Sequence, residues 1–127
     1  MVLDASVVVA MLAKEPGYEL LLRRVVEQDD IRISPMSYVE TVMALARSFA
    51  DPTSLLEDFI EQHAVSVENT DVAQAQWAVK AFLRFGKGRH AARLNLGDCF
   101  SYAAAKSLDA PLLYIGDDFV KTDVRQA

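Results

Sequence analysis

From one end of the chain to the other, short apolar runs alternate with longer segments whose apolar residues return every three or four positions. Val2-Leu3 reads as a buried strand ending at Asp4, and Ser6 to Ala13 continues in helix-compatible composition until Pro16-Gly17 interrupts it. Between Tyr18 and Glu27, the residues Leu20, Leu21, Leu22, Val25 and Val26 recur at helical spacing, and Gln28-Asp29-Asp30 closes that segment before the strand-like Ile31-Arg32-Ile33. Ser34-Pro35 opens a third helix with Val39, Val42, Met43, Ala46 and Phe49 along one face, and Asp51-Pro52 opens a fourth through Leu55, Leu56, Phe59 and Ile60. Ala64 to Val67 is a third strand. Asn69-Thr70-Asp71 caps a helix that carries Val72, Ala75, Trp77, Val79, Phe82 and Phe85 and stops at Gly86. A last helix starts near Asp98 and runs to about Ser107, followed by the apolar run Pro111 to Ile115, short enough to be a strand buried on both faces. Such alternation predicts an α/β chain: a three-layer α/β/α sandwich with a mostly parallel central sheet, in a single domain spanning residues 1–127.

Composition narrows the class. With 52% hydrophobic and 24% charged residues the chain is neither disordered nor membrane-like. No apolar run approaches the roughly 18 residues of a membrane span, and Met1-Val2-Leu3-Asp4 has no basic leader, so a cytoplasmic protein without membrane contact is expected. The single cysteine, Cys99, rules out an internal disulfide and a Cys-rich metal scaffold; Cys99 and Trp77 are expected in the core. A net charge of −5 argues against phosphate binding by the protein as a whole. Its distribution argues otherwise: residues 84–93 gather Arg84, Lys87, Arg89 and Arg93 with His90 and no acid. That strip is either a solvated loop or a place where a nucleic-acid backbone docks.

In a parallel sheet, functional groups collect beyond the carboxyl ends of the strands, where the strand-to-helix loops emerge. Asp4 follows the first strand, Asp117 and Asp118 follow the last, Asp98 heads a helix directed at the same edge, and Glu40 enters from the third helix. Carboxylates brought together in a partly desolvated place repel one another unless a cation neutralises them. All the donors are oxygens, and His63 and His90 have no metal-ligand spacing, so magnesium or manganese fits and zinc does not. Each acid also has a structural alternative. Asp4 and Asp98 suit helix N-termini, Ser37 and Glu40 form an S-x-x-E capping box, and Asp117-Asp118 after a glycine suits a turn. Ser6 either caps its helix, the preferred reading, or bonds a ligating carboxylate.

Taken in order, Val-Leu-Asp-Ala-Ser at 2–6, Tyr-Val-Glu-Thr at 38–41, Gly-Lys-Gly-Arg-His at 86–90, Leu-Asn-Leu-Gly-Asp-Cys-Phe-Ser-Tyr-Ala at 94–103 and Leu-Leu-Tyr-Ile-Gly-Asp-Asp-Phe at 112–119 resemble the PIN-domain ribonucleases. Among these, the likeness is closest to the VapC toxins of bacterial type II toxin–antitoxin systems. The resemblance implies an endoribonuclease toxin dependent on Mg2+ or Mn2+ that cuts structured RNA such as tRNA or rRNA. It further implies a cognate VapB-like antitoxin and a toxin homodimer. By position, Asp4 and Asp98 match the principal metal ligands and Glu40 the third acid. The fourth acid departs from the commoner pattern because Asp117 and Asp118 are adjacent; Asp118, next to Phe119, is preferred. Arg84, Lys87, Arg89 and Arg93 would then steer the RNA backbone.

Two rival functions remain in view. A phospho-acceptor signalling domain also uses an acidic pocket, but it needs a phosphorylatable Asp where the third strand here ends in Val67-Glu68-Asn69. A catalytically silent module that only pairs with an antitoxin has no reason to carry the full set of acids.

Overall fold

β1 (Val2–Leu3) is the strand on which the rest hangs. In the computed structural model, which describes residues 1–127, β2 (Arg32–Ile33), β3 (Ser66–Val67) and β4 (Leu112–Leu113) join it in a sheet of order β3-β2-β1-β4. Every pairing is parallel: Val2 stands against Arg32 and Leu112, Leu3 against Ile33 and Leu113, and Ile33 against Val67. The expected parallel sheet is thus present, with strands shorter than the apolar runs that announced them.

Six helices cover the sheet: α1 (Ala5–Leu12), α2 (Tyr18–Val26), α3 (Pro35–Leu45), α4 (Pro52–Gln62), α5 (Val72–Phe85) and α6 (Leu96–Ser107). Strand side chains alternate between faces, and two cores follow from that. Val2 and Leu112 face a cluster with Ala81, Phe85, Tyr102 and Ala104 of α5 and α6. Leu3, Ile33 and Leu113 face the other side, against Val7, Val8, Val25, Leu56 and Phe59 of α1, α2 and α4. This is the three-layer α/β/α arrangement. Cys99 lies in the first core and Trp77 packs half-buried against it. The C-terminal segment closes the β4 edge: the Leu112 N–H donates to the Arg125 carbonyl, and the Ala127 N–H donates to the Leu112 carbonyl. An edge strand left open would be a site for pairing with other chains.

Helix starts are fixed by small polar residues. Asp4, Ser34, Asp51, Asp71 and Asn95 each accept a backbone N–H of the helix that follows. The cap of α3 is therefore Ser34, not the Ser37–Glu40 pair, which leaves Glu40 free of any capping duty. Gly86 ends α5 in extended backbone (φ −67°) rather than in a left-handed turn. Glycine is needed there because a β-carbon would collide with the ring and carbonyl of Phe82.

Candidate active site

Asp4 leaves β1 at the carboxyl edge of the sheet and is 6% exposed. Its Oδ2 accepts the Ser6 N–H at 3.0 Å and the Ser6 hydroxyl at 2.6 Å, and its Oδ1 accepts the Ser101 hydroxyl at 2.7 Å. Ser6 is consequently a clasp on the Asp4 carboxylate, not the helix cap it was expected to be; the cap is Asp4 itself. The Ser6 oxygen also accepts the N–H of Ile115, tying the end of β1 to the loop that follows β4.

Asp98 is the third residue of α6. Its Oδ2 accepts the Asn95 N–H at 2.8 Å while Asn95 Oδ1 accepts the Asp98 N–H at 2.9 Å, a reciprocal capping box. Ser101, bonded to Asp4, lies three residues along the same helix, a spacing that puts side chains on one face about 5–6 Å apart. Asp4 and Asp98 thus flank one hollow. Glu40, on α3, lays its carboxylate over Gly97, the residue before Asp98: a β-carbon at Gly97 would occupy the place of that carboxylate.

Electrostatics report the same convergence. Burial pushes the Asp98 carboxyl up to about 7; the Asn95 N–H opposes this, and the charges of Asp4, Asp118 and Glu40 add to it. Glu40 is raised as well, by burial and by Asp4. The ion pairs of the molecule use Asp30, Glu68, Asp109 and Asp123, and none uses an acid of this pit. Asp4, Glu40, Asp98 and Asp118 are therefore brought together without a cationic side chain among them. Asp117 and Asp118 are both exposed in the loop after β4, and it is the Asp118 charge that bears on Asp98. A cleft of about 360 Å³ lined by Ser6, Glu15, Glu40 and Ile115 opens beside the pit. Burial, with Asp98 beside it, lifts the Cys99 thiol to about 11, so the thiol is protonated and no nucleophile.

The donor chemistry fits a hard divalent cation. Unpaired, partly desolvated carboxylates at one sheet edge need external positive charge, and oxygen-only ligation suits magnesium or manganese. No three of the His, Cys, Asp and Glu side chains converge tightly enough to cage an ion alone.

The basic strip divides. Arg84 pairs with Asp123 at 3.2 Å, away from the acids. Lys87, Arg89 and Arg93 are exposed on the loop leading into Asn95. Lys87 also borders a groove of about 490 Å³ with Phe82, Leu96 and Phe100, and the Arg89 guanidinium lies 5.6 Å from the Phe82 ring centre.

Sequence reasoning missed Gly97 and Ser101. Glycine in the first turn of a helix is a costly choice that signals close approach by another group, so Gly97 carried a readable sign. Ser101, one polar residue in the apolar stretch Cys99 to Ala105, carried a weaker one.

A parallel sheet with acids gathered at its carboxyl edge defines the class. The PIN domain family model matches residues 1–125, and the chain belongs to that family. Its relatives within the family are VapC ribonucleases. Ribonuclease VapC of Mycolicibacterium smegmatis is 42% identical over 125 residues, covering 98% of this chain and 97% of the relative. Ribonuclease VapC30 of Mycobacterium tuberculosis is 43% identical over 126 residues, covering 98% and 95%. The fold is shared with the crystal structure of Mycobacterium tuberculosis VapC20, a sarcin–ricin loop cleaving toxin, at a TM-score of 0.78 and 14% identity over 99% of this chain and 97% of that one.

Proposed function

We propose that this chain is an endoribonuclease toxin of a toxin–antitoxin pair, dependent on Mg2+ or Mn2+ and acting on structured RNA in the cytoplasm. The observation that carries the reading is the uncompensated acid pit, with Asp98 lifted to about 7 in a chain whose relatives are VapC ribonucleases. Asp4 and Asp98 would hold the cation directly, Glu40 through water, and Asp118 would complete the pit, with Asp117 beside it in the loop. A cation held there would supply Lewis acidity at the scissile phosphate and would make a bound water more acidic.

This chain's residues do the rest. Ser6 and Ser101 hold Asp4 by hydroxyl donors, so its carboxylate has one orientation. Glu40, raised above the ordinary carboxylate range, is disposed to accept a proton from the attacking water. Lys87, Arg89 and Arg93 bind RNA phosphates, giving affinity that weakens with salt and carries little sequence preference. Arg84 is assigned instead to Asp123. A VapB-like antitoxin would neutralise the enzyme, and the toxin would act as a homodimer.

Purified, antitoxin-free protein incubated with total RNA should cleave it with Mg2+ or Mn2+ and stop when EDTA is added. RNA left intact in both metals, or cut equally in EDTA, would sink the proposal.

A further inference from the structure

Behind the acids, Ser101, which holds Asp4, is the last of three serines in a linear chain of hydrogen bonds. Ser34, Ser37 and Ser101 are each 0% exposed. Ser34 Oγ is 3.0 Å from Ser37 Oγ, Ser37 Oγ is 2.9 Å from Ser101 Oγ, and Ser101 Oγ is 2.7 Å from Asp4 Oδ1. One hydroxyl carries one proton, which fixes the direction of every bond. Ser101 donates to the Asp4 carboxylate, so it must accept from Ser37. Ser37 has then spent its own proton and accepts from Ser34, whose oxygen in turn accepts the Ser37 N–H at 3.0 Å. No member is left unsatisfied, and each hydroxyl polarises the next toward the carboxylate.

The placement of the chain is as informative as its bonding. Ser37 lies three residues before Glu40 on α3, and Ser101 lies three residues after Asp98 on α6. Each element that brings an acid to the pit from a helix thus also brings, one turn away, a serine to the chain that ends on Asp4. The acids repel one another, and no hydrogen bond joins any two of them. The serines join the same three elements directly.

We infer that the Ser34–Ser37–Ser101 chain is the device that registers Asp4 against Asp98 and Glu40, so that the cation meets a preset spacing. Ser37 and Ser101 are positioning residues acting through Asp4. The inference rests on reading the pit as a cation site. It goes further by assigning the tuning of metal affinity to buried hydroxyls that touch neither metal nor RNA. Partners behind metal ligands commonly change affinity by about 10–100-fold.

The test is Mn2+ binding followed by electron paramagnetic resonance of the free ion, with a thermal melt on each sample to establish that it is folded. Ser101→Ala should weaken Mn2+ binding by about 10-fold and Ser37→Ala by a smaller factor. The double variant Ser37→Ala/Ser101→Ala should bind no more weakly than Ser101→Ala alone, because Ser37 acts only through Ser101. Wild-type affinity in folded Ser101→Ala, or independent effects that multiply, overturns the inference while leaving the proposed function standing. Failure of the wild-type protein to bind Mn2+ overturns the inference, and if Mg2+ does not protect it in a thermal melt either, the proposed function falls with it. If Ser101→Ala does not fold, Ser37→Ala against Ser37→Thr decides: affinity lost with alanine and restored with threonine supports the chain, and equal affinities overturn it.

Discussion

Helix α6 deals with two aspartates in opposite ways. Near its C-terminal end, Asp123 receives the Tyr102 hydroxyl at 2.7 Å, Lys106 at 3.3 Å and Arg84 at 3.2 Å. Burial would lift that carboxyl, but these three partners outweigh it and hold it below the ordinary range. At the N-terminal end, Asp98 has one backbone N–H and three acidic neighbours, and it is pushed up to about 7. An acid that the fold has already neutralised is structural. One left without counter-charge beside others like it is poised for a cation from outside, and this contrast, rather than the number of acids, distinguishes the pit from the rest of an acidic protein.

The sharpest way to break the contrast is to remove one charge at each end. Asp98→Asn retains an oxygen for the Asn95 N–H, so the metal-free fold should melt no lower than wild type. RNA cleavage with Mg2+ should fall by about 10³-fold or more, as for loss of a group that stabilises charge in a transition state. A near-normal rate would end the assignment of Asp98.

A second, intermediate effect concerns pH. Unfolded, Asp98 gives up its proton near 3.8; folded, it keeps the proton to about 7. Between those values the folded state holds more protons, so stability falls as pH rises and levels off above the window. Glu40 acts in the same direction. Asp123, lowered, has the opposite sign: it contributes above the unfolded carboxylate range and is lost only as pH drops through its folded value. In EDTA, the melting temperature should drop by on the order of 5 °C from pH 5 to pH 8. Asp98→Asn should flatten that slope, and so should millimolar Mg2+. A wild-type slope that is flat or rising in EDTA would show that Asp98 is not held protonated.

The smallest effect belongs to the other end of the helix. Asp123→Asn should cost about 1 kcal/mol of stability, the worth of a partly exposed bonded group, with a cleavage rate within about twofold of wild type. A large loss of activity would mean that the Asp123 cluster communicates with the pit.

Much of this was written in the order of residues, because strand-to-helix loops in a parallel sheet have only one edge at which to emerge. Asp4, Glu40 and Asp98 could be placed there from sequence. The adjacent Asp117 and Asp118 have no distinguishing pattern along the chain, whereas in space the Asp118 charge bears on Asp98. Arg84 was grouped with a basic strip by proximity along the chain, whereas the fold pairs it with a residue 39 positions away. The role of Ser6 was hidden because a hydroxyl two residues after an aspartate serves a cap or a clasp equally well in one dimension. The longer serine chain, with the aspartate it ends on, joins residues up to 97 positions apart and has no local pattern at all.

Gly97 leaves a space at the edge of the pit. What its missing side chain makes room for is the tip of a flexible residue, the Glu40 carboxylate, and not backbone. An added β-carbon, as in Gly97→Ala, would therefore swing that tip aside at little expense to folding, and every one-base missense change in a glycine codon installs a β-carbon. If the chain acts as the proposed toxin, codon 97 is thus a place where disarmed alleles would accumulate, the smallest replacements among them keeping the fold.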